Sequence, residues 1–169
     1  MADRILVAYA STAGSTREVA QAIGKVLGEG GAFVDVLPAK QVKDVDRYRA
    51  VVVGAAIHMS KWLPEASNFV KAQREVLNRV PVAYFGVCIT LKDDTEENRC
   101  TVAAWMEPLS EYVKPVSTGM FAGRMAYNNL SFLQRLVVRN LVKLPQGDYR
   151  QWEVIRAWAL KIAPLLAVR

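Results

Sequence analysis

Cysteine is scarce. Cys88 and Cys100 are the only two, too few for a disulfide scaffold, and their spacing matches no common zinc pattern, so reduced thiols are expected. Histidine is scarcer, with His58 alone. Long apolar runs are missing as well. The stretches 5–10 and 51–57 are strand-sized, far below the roughly 18–20 residues of a transmembrane helix. The N-terminus shows no charged region followed by an apolar segment and a cleavage site, so no signal peptide is read and a cytoplasmic address is expected. Internal repeats and low-complexity segments are also lacking. What remains is 169 residues, 52% hydrophobic and 22% charged, a composition suited to one globular domain over 1–169 with a sizeable core.

The net charge of +6 is unevenly spread. Residues 124–150 hold Arg124, Arg135, Arg139, Lys143 and Arg150 against one acid, Asp148, and so carry most of the excess. The basic character is therefore local and points to an anionic partner for that stretch. The cations are not interleaved with aromatics across a face, which speaks against a nucleic-acid partner.

Apolar, β-rich segments at 4–10, 33–37, 50–54, 82–87 and 116–121 read as strands. Helical spacing appears over 16–27, 63–77, 95–112, 130–144 and 149–167. Alternation of nearly continuous apolar strands with helices predicts an α/β fold, a parallel sheet covered on both faces. In such sheets, ligands bind at the carboxyl ends of the strands, near a topological switch point. The loops after the first, third and fourth strands are therefore the places to look for a site. A receiver-type phosphorylation pocket needs acids at the ends of strands 1 and 3. Tyr9-Ala10 and Val53-Gly54 stand there instead.

The first loop is Ser11-Thr12-Ala13-Gly14-Ser15-Thr16. Gly14 permits a tight turn, the unpaired N–H groups of the following helix face outward, and four hydroxyls stand beside them. The loop lacks the Gly-Lys-Ser/Thr ending of an NTPase loop and the G-x-G-x-x-G of a dinucleotide fold. A single phosphomonoester such as that of FMN suits it. Ser15 capping the helix, with Glu18 completing a capping box, is the plainer reading, and the two are compatible.

The stretch resembles the flavodoxin phosphate loop, Ser/Thr-x-Thr-Gly-x-Thr, departing from it at Ala13. Thr16-Arg17-Glu18-Val19-Ala20 and Val53-Gly54-Ala55-Ala56-Ile57 are similar to the flavodoxin-domain branch that includes menaquinone-dependent protoporphyrinogen IX dehydrogenases. The similarity runs through nearly the whole chain, including a basic insert at about 124–148. It implies a five-stranded, three-layer doubly wound sheet in 2-1-3-4-5 order, with FMN at the strand carboxyl ends and the flavin carrying the redox chemistry without a protein nucleophile or metal.

The same resemblance lays the second loop, 54–62, along the isoalloxazine. Ala55, Ala56 and Ile57 would let the backbone approach the ring, with His58 flanking it and Trp62 stacking on it. For His58 a solvated loop position is the alternative, and for Trp62 packing at a helix start. The third loop, Cys88-Ile89-Thr90-Leu91 onward, has no aromatic before Asp94. Either Ile89 or Leu91 covers the other ring face, or that face is open to a substrate, which favours an enzyme over a carrier. Cys88 would touch the ring or simply be buried.

In the basic insert, Leu130, Leu133, Val137, Leu141 and Leu144 form an apolar seam opposite a stripe of Arg135, Arg139 and Lys143. Three readings stand: a seam packed on the domain with the stripe in water, peripheral contact of 130–144 with the inner face of the cell membrane, or a roof over the flavin. For the roof, Arg124, Tyr127, Arg135 and Arg139 are the candidate contacts to substrate carboxylates. Two functions follow from the resemblance. One is an FMN oxidoreductase acting on a porphyrinogen in heme biosynthesis and delivering electrons to a quinone. The other is a flavodoxin-type carrier serving a redox partner protein.

Overall fold

The computed structural model describes residues 3–125, 131–137, 140 and 147–167. Strand β1 (Arg4–Ala10) lies between β2 (Phe33–Pro38) and β3 (Ala50–His58), parallel to both. A short strand, β4 (Lys61–Trp62), folds back antiparallel on the end of β3. Beyond β3 come β5 (Val82–Cys88) and β6 (Ser117–Ala122), again parallel. The order β2-β1-β3-β5-β6 is the expected 2-1-3-4-5 arrangement of the five long strands.

Strand residues alternate between two cores. Leu6, Ala8, Val51, Val53 and Tyr84 face one side, beneath α2 (Pro64–Ala72) and α4 (Glu96–Met106). Ile5, Val7, Val52, Ala83 and Phe85 face the other, beneath α1 (Ser15–Glu29) and α6 (Trp152–Ala167). Burial on both faces is why the strands read as unbroken apolar runs. Phe85 packs with Phe121 and Trp158, ring centres 5.6–6.3 Å apart. Its ring occupies the space over Gly54, its partner across the β3–β5 pair. A Cβ at Gly54 would lie within 1.9–2.3 Å of ring carbons.

Several boundaries differ from the expectation. β3 runs on to His58, so 54–58 is strand, held by pairing with β1, β5 and β4. The loop after it shrinks to Met59 and Ser60, both at positive φ, as a tight hairpin turn demands. The 63–77 helix divides at Gln73 into α2 and α3 (Arg74–Leu77). Helix α4 starts where Thr95 caps it, its hydroxyl accepting from Asn98 N at 3.1 Å. It gives way to a 3-10 turn, Glu107–Glu111, at Pro108, whose nitrogen has no hydrogen to donate. The last helix begins at Trp152 rather than 149.

Of the expected 130–144 helix, the described part is α5 (Phe132–Val137). The seam positions Leu130, Leu141 and Leu144, and the stripe positions Arg139 and Lys143, lie outside the described residues. Within α5 the seam residues Leu133 and Val137 do not pack on the domain, being 73% and 48% exposed, and their neighbours Phe132 and Leu136 also face solvent. The packed-seam reading fails for these residues.

Candidate functional site

Where β1 ends, Gly14 turns the chain at φ 87°, a left-handed conformation costly for any residue with a Cβ. Its N–H donates to Ser11 Oγ at 3.0 Å, which folds the loop on itself. Helix α1 then begins at Ser15 with Gly14 as its cap, and no side chain caps it. The capping-box reading is therefore corrected. Ser15 lies inside the helix, and the Glu18 carboxylate turns to Arg150, with Arg124 Nη1 a further 3.9 Å away. First-turn N–H groups are left for a ligand, backed by the positive end of the helix dipole. Thr16 is fully buried, and its Oγ1 has no hydrogen-bond partner. Buried hydroxyls are nearly always paired, so this one points to an absent acceptor.

A cleft opens beside the loop. Ser11, Thr12, Ala13 and Ser15 line it from the loop, Ala56, Ile57 and His58 from β3, and Val87 and Ile89 from the end of β5. Gly123, Arg124 and Met125 complete it beyond β6. It encloses about 120 Å³. Pockets that engulf a ligand measure ~300–1,000 Å³, so this cleft has room for only part of a ligand of that size. Its apolar walls are aliphatic: Ile57, Val87, Ile89 and Met125. His58 Nε2 lies 3.5 Å from Thr12 Oγ1, and desolvation holds the imidazole below its ordinary pKa.

Other expected residues sit elsewhere. Trp62 is not in the cleft lining. It is 5% exposed, pairs with Ile57 across the hairpin and meets Tyr84 edge-on at 5.4 Å. The extension of β3 is the cause, because it carries Trp62 into the core beneath the hairpin. Ala55, Cys88 and Leu91 are buried in that same core. Thr90 is half-buried, its carbonyl accepting from Asn98 Nδ2 at 3.2 Å. Arg135 is exposed on α5, and Tyr127 and Arg139 lie outside the described residues.

The fourth wall, Gly123 and Met125 beyond β6, was not expected from the three loops. The available signal was Gly123 immediately after the fifth strand, at the same carboxyl edge. There β7 (Arg124–Met125), whose residues line the cleft, pairs antiparallel with β8 (Gly147–Asp148). Arg150 fastens β8 to the start of α1. Its guanidinium binds Asp148 at 2.7 and 2.9 Å, pairs with Glu18 and reaches Ser15 O at 3.4 Å. These bonds push Asp148 below the usual carboxylate range.

The model of the flavodoxin domain matches residues 6–151. Protoporphyrinogen IX dehydrogenase [quinone] of Escherichia coli (strain K12) is 24% identical over 173 residues, covering 96% of each chain. The Leishmania major protein of the same name is 25% identical over 175 residues, covering 96% of this chain and 75% of its own. Among solved structures, a flavodoxin from the domain Archaea superposes with a TM-score of 0.56 at 19% identity, covering 98% of this chain and 99% of its own. A short-chain flavodoxin associated with a bacterial microcompartment gives 0.61 at 13%, covering 99% and 100%. The donor set at 11–16, with its orphaned hydroxyl and uncapped helix end, fits the phosphate of FMN. The chain belongs to the flavodoxin-domain family, whose cofactor is FMN.

Proposed function

We propose that this chain is an FMN-dependent oxidoreductase of the protoporphyrinogen IX dehydrogenase kind, taking electrons from a porphyrinogen in heme biosynthesis and passing them to a quinone. One observation carries the reading: relatives of that name match over 96% of the chain. FMN supplies the capacity to accept and release one or two electrons. The chain's own residues bind and orient. Ser11, Thr12, Ser15 and Thr16, with the first N–H groups of α1, hold the phosphate. Ala56, Ile57 and His58 lie along one side of the ring, with Ile89 on the other. Aliphatic walls leave the ring face open to a substrate rather than covering it with a stacked side chain.

Arg124, at the cleft mouth, faces the carboxylates of the porphyrinogen in this reading. Peripheral contact with an anionic membrane, where a quinone resides, draws support from the exposed Phe132, Leu133, Leu136 and Val137 of α5. Among the described residues no helix is long and apolar enough to cross a membrane.

The test is anaerobic turnover. FMN-loaded protein is mixed with protoporphyrinogen IX and a menaquinone analogue, and porphyrin fluorescence is followed. Production above the uncatalysed rate, dependent on the quinone, supports the reading. A protein that retains FMN yet forms no extra porphyrin is an electron carrier instead.

A further inference from the structure

A second cavity lies on the α2–α4 face of the sheet and shares no lining residue with the flavin cleft. On the opposite face α1 and α6 pack against each other, whereas α2 and α4 make little mutual contact. The gap between them encloses about 480 Å³, four times the flavin cleft, and falls within the ~300–1,000 Å³ range of small-molecule sites. Trp62, Trp105 and Tyr112 supply aromatic surface, and Pro64, Pro108 and Leu109 aliphatic surface.

Two further features give the cavity a chemical preference. Lys61 and Lys71 stand at its walls against a single acid, Glu111, and Lys71 Nζ lies 5.2 Å from the centre of the Tyr112 ring. Trp62 also lines the cavity and is 5% exposed. Its indole N–H is buried with no hydrogen-bond partner. An indole N–H can only donate, so a ligand oxygen would satisfy it once the side chains that cover the nitrogen give way.

We propose that this cavity binds a flat aromatic anion. Its ring lies among Trp62, Trp105 and Tyr112, and its carboxylate accepts from Trp62 Nε1 and faces Lys61 and Lys71. Aromatic walls select a ring over a flexible chain because stacked and edge-on contacts are satisfied by few torsions. The excess of ammonium groups and the orphaned donor select an anion over a neutral ring. Ile57, across the hairpin from Trp62, lines the flavin cleft, so the two sites are back to back on one strand pair.

The probe is 2-naphthoate, with neutral 2-naphthalenemethanol as its control, added to the FMN-bound full chain and followed by two-dimensional NMR. The indole resonance of Trp62 is assigned by its loss in Trp62→Phe, which keeps a ring in the core. Saturable shifts of that resonance are expected, with a Kd on the order of 1 mM for so small a probe. Lys71→Gln should weaken naphthoate about three- to five-fold while leaving the bound-flavin spectrum unchanged. Equal binding of the neutral control overturns the anion preference. Absence of binding at ~10 mM, ten times that Kd, overturns the site. Shifts confined to 11–15 and 56–58 do the same by placing the probe in the flavin cleft.

Discussion

Replacing Arg150 by Ala should loosen both the start of α1 at Ser15 and Glu18 and the β8 segment at Asp148. The Arg150 side chain is 4% exposed and grips Asp148 through two parallel bonds, Glu18 through a third and the Ser15 carbonyl through a fourth. Its guanidinium carbon also lies 4.6 Å from the Trp152 ring centre. Breaking a fully buried ion pair costs roughly 3–5 kcal/mol. Here Asp148 and Glu18 are 43% and 44% exposed, so water recovers much of their solvation. The figure for hydrogen bonds to a charged group, about 1.5–3 kcal/mol, is the better guide, and about 2 kcal/mol is expected. For a chain of this size each kcal/mol moves Tm by about 2–4 °C, so a fall of ~4–8 °C should appear in calorimetry of the FMN-free protein.

The substitution also leaves the Glu18 carboxylate in the first turn of α1 with Arg124, 3.9 Å away, as its one cation among the described residues. Repulsion from a bound phosphate should weaken FMN about five- to ten-fold, and adding Glu18→Gln should restore most of that loss. A destabilisation under ~0.5 kcal/mol, the range of ordinary surface substitutions, would refute the reasoning. So would full additivity of the two substitutions in FMN affinity. The pH dependence supplies a further check. Asp148 is held below its ordinary pKa of 3.8, chiefly by its bond to Arg150. Its stabilisation is thus complete above that value and is lost as pH falls through the lowered one. The gap between parent and variant should narrow on acidification below about pH 4.

Thr16→Val keeps the side-chain shape and removes a buried, unpartnered hydroxyl. The FMN-free protein should hold or gain stability, while flavin-fluorescence titration shows at least about ten-fold weaker FMN; parallel movement of the two would count against a phosphate contact. Because His58 is the only histidine, its NMR titration is unambiguous, and its midpoint should lie below 6.5. A lowered imidazole pKa means the unfolded chain takes up the proton first. Stability should therefore decline as pH falls from 6.5 toward the folded midpoint, and His58→Asn should remove that slope. Gly54→Ala places a methyl against the fully buried Phe85 ring and should cost about 3 kcal/mol by urea denaturation, partly recovered by adding Phe85→Leu.

The sequence by itself determined the sheet. Unbroken apolar runs such as 5–8 and 50–53 need cover on both faces, and their alternation with helical segments points to a parallel sheet between helix layers. Its order was legible through the likeness of 11–16 and 53–57 to a known family, and the tight turn at Gly14 between strand and helix through the residues themselves. Residues within one loop or one helix turn are close whatever the remainder of the chain does, so local signals suffice there.

Contacts between distant segments were not legible. Nothing local says that β3 continues to His58; pairing with three neighbouring strands decides it, and that extension takes Trp62 out of the cleft and into the core. Glu18 looked like half of a capping box, but Arg150, 132 positions away, holds it. The wall formed by Gly123 and Met125, and the gap between α2 and α4, likewise depend on how separate elements are set side by side. Periodicity reports which face of an element is apolar, not what stands opposite it, and only the packed structure settles the second.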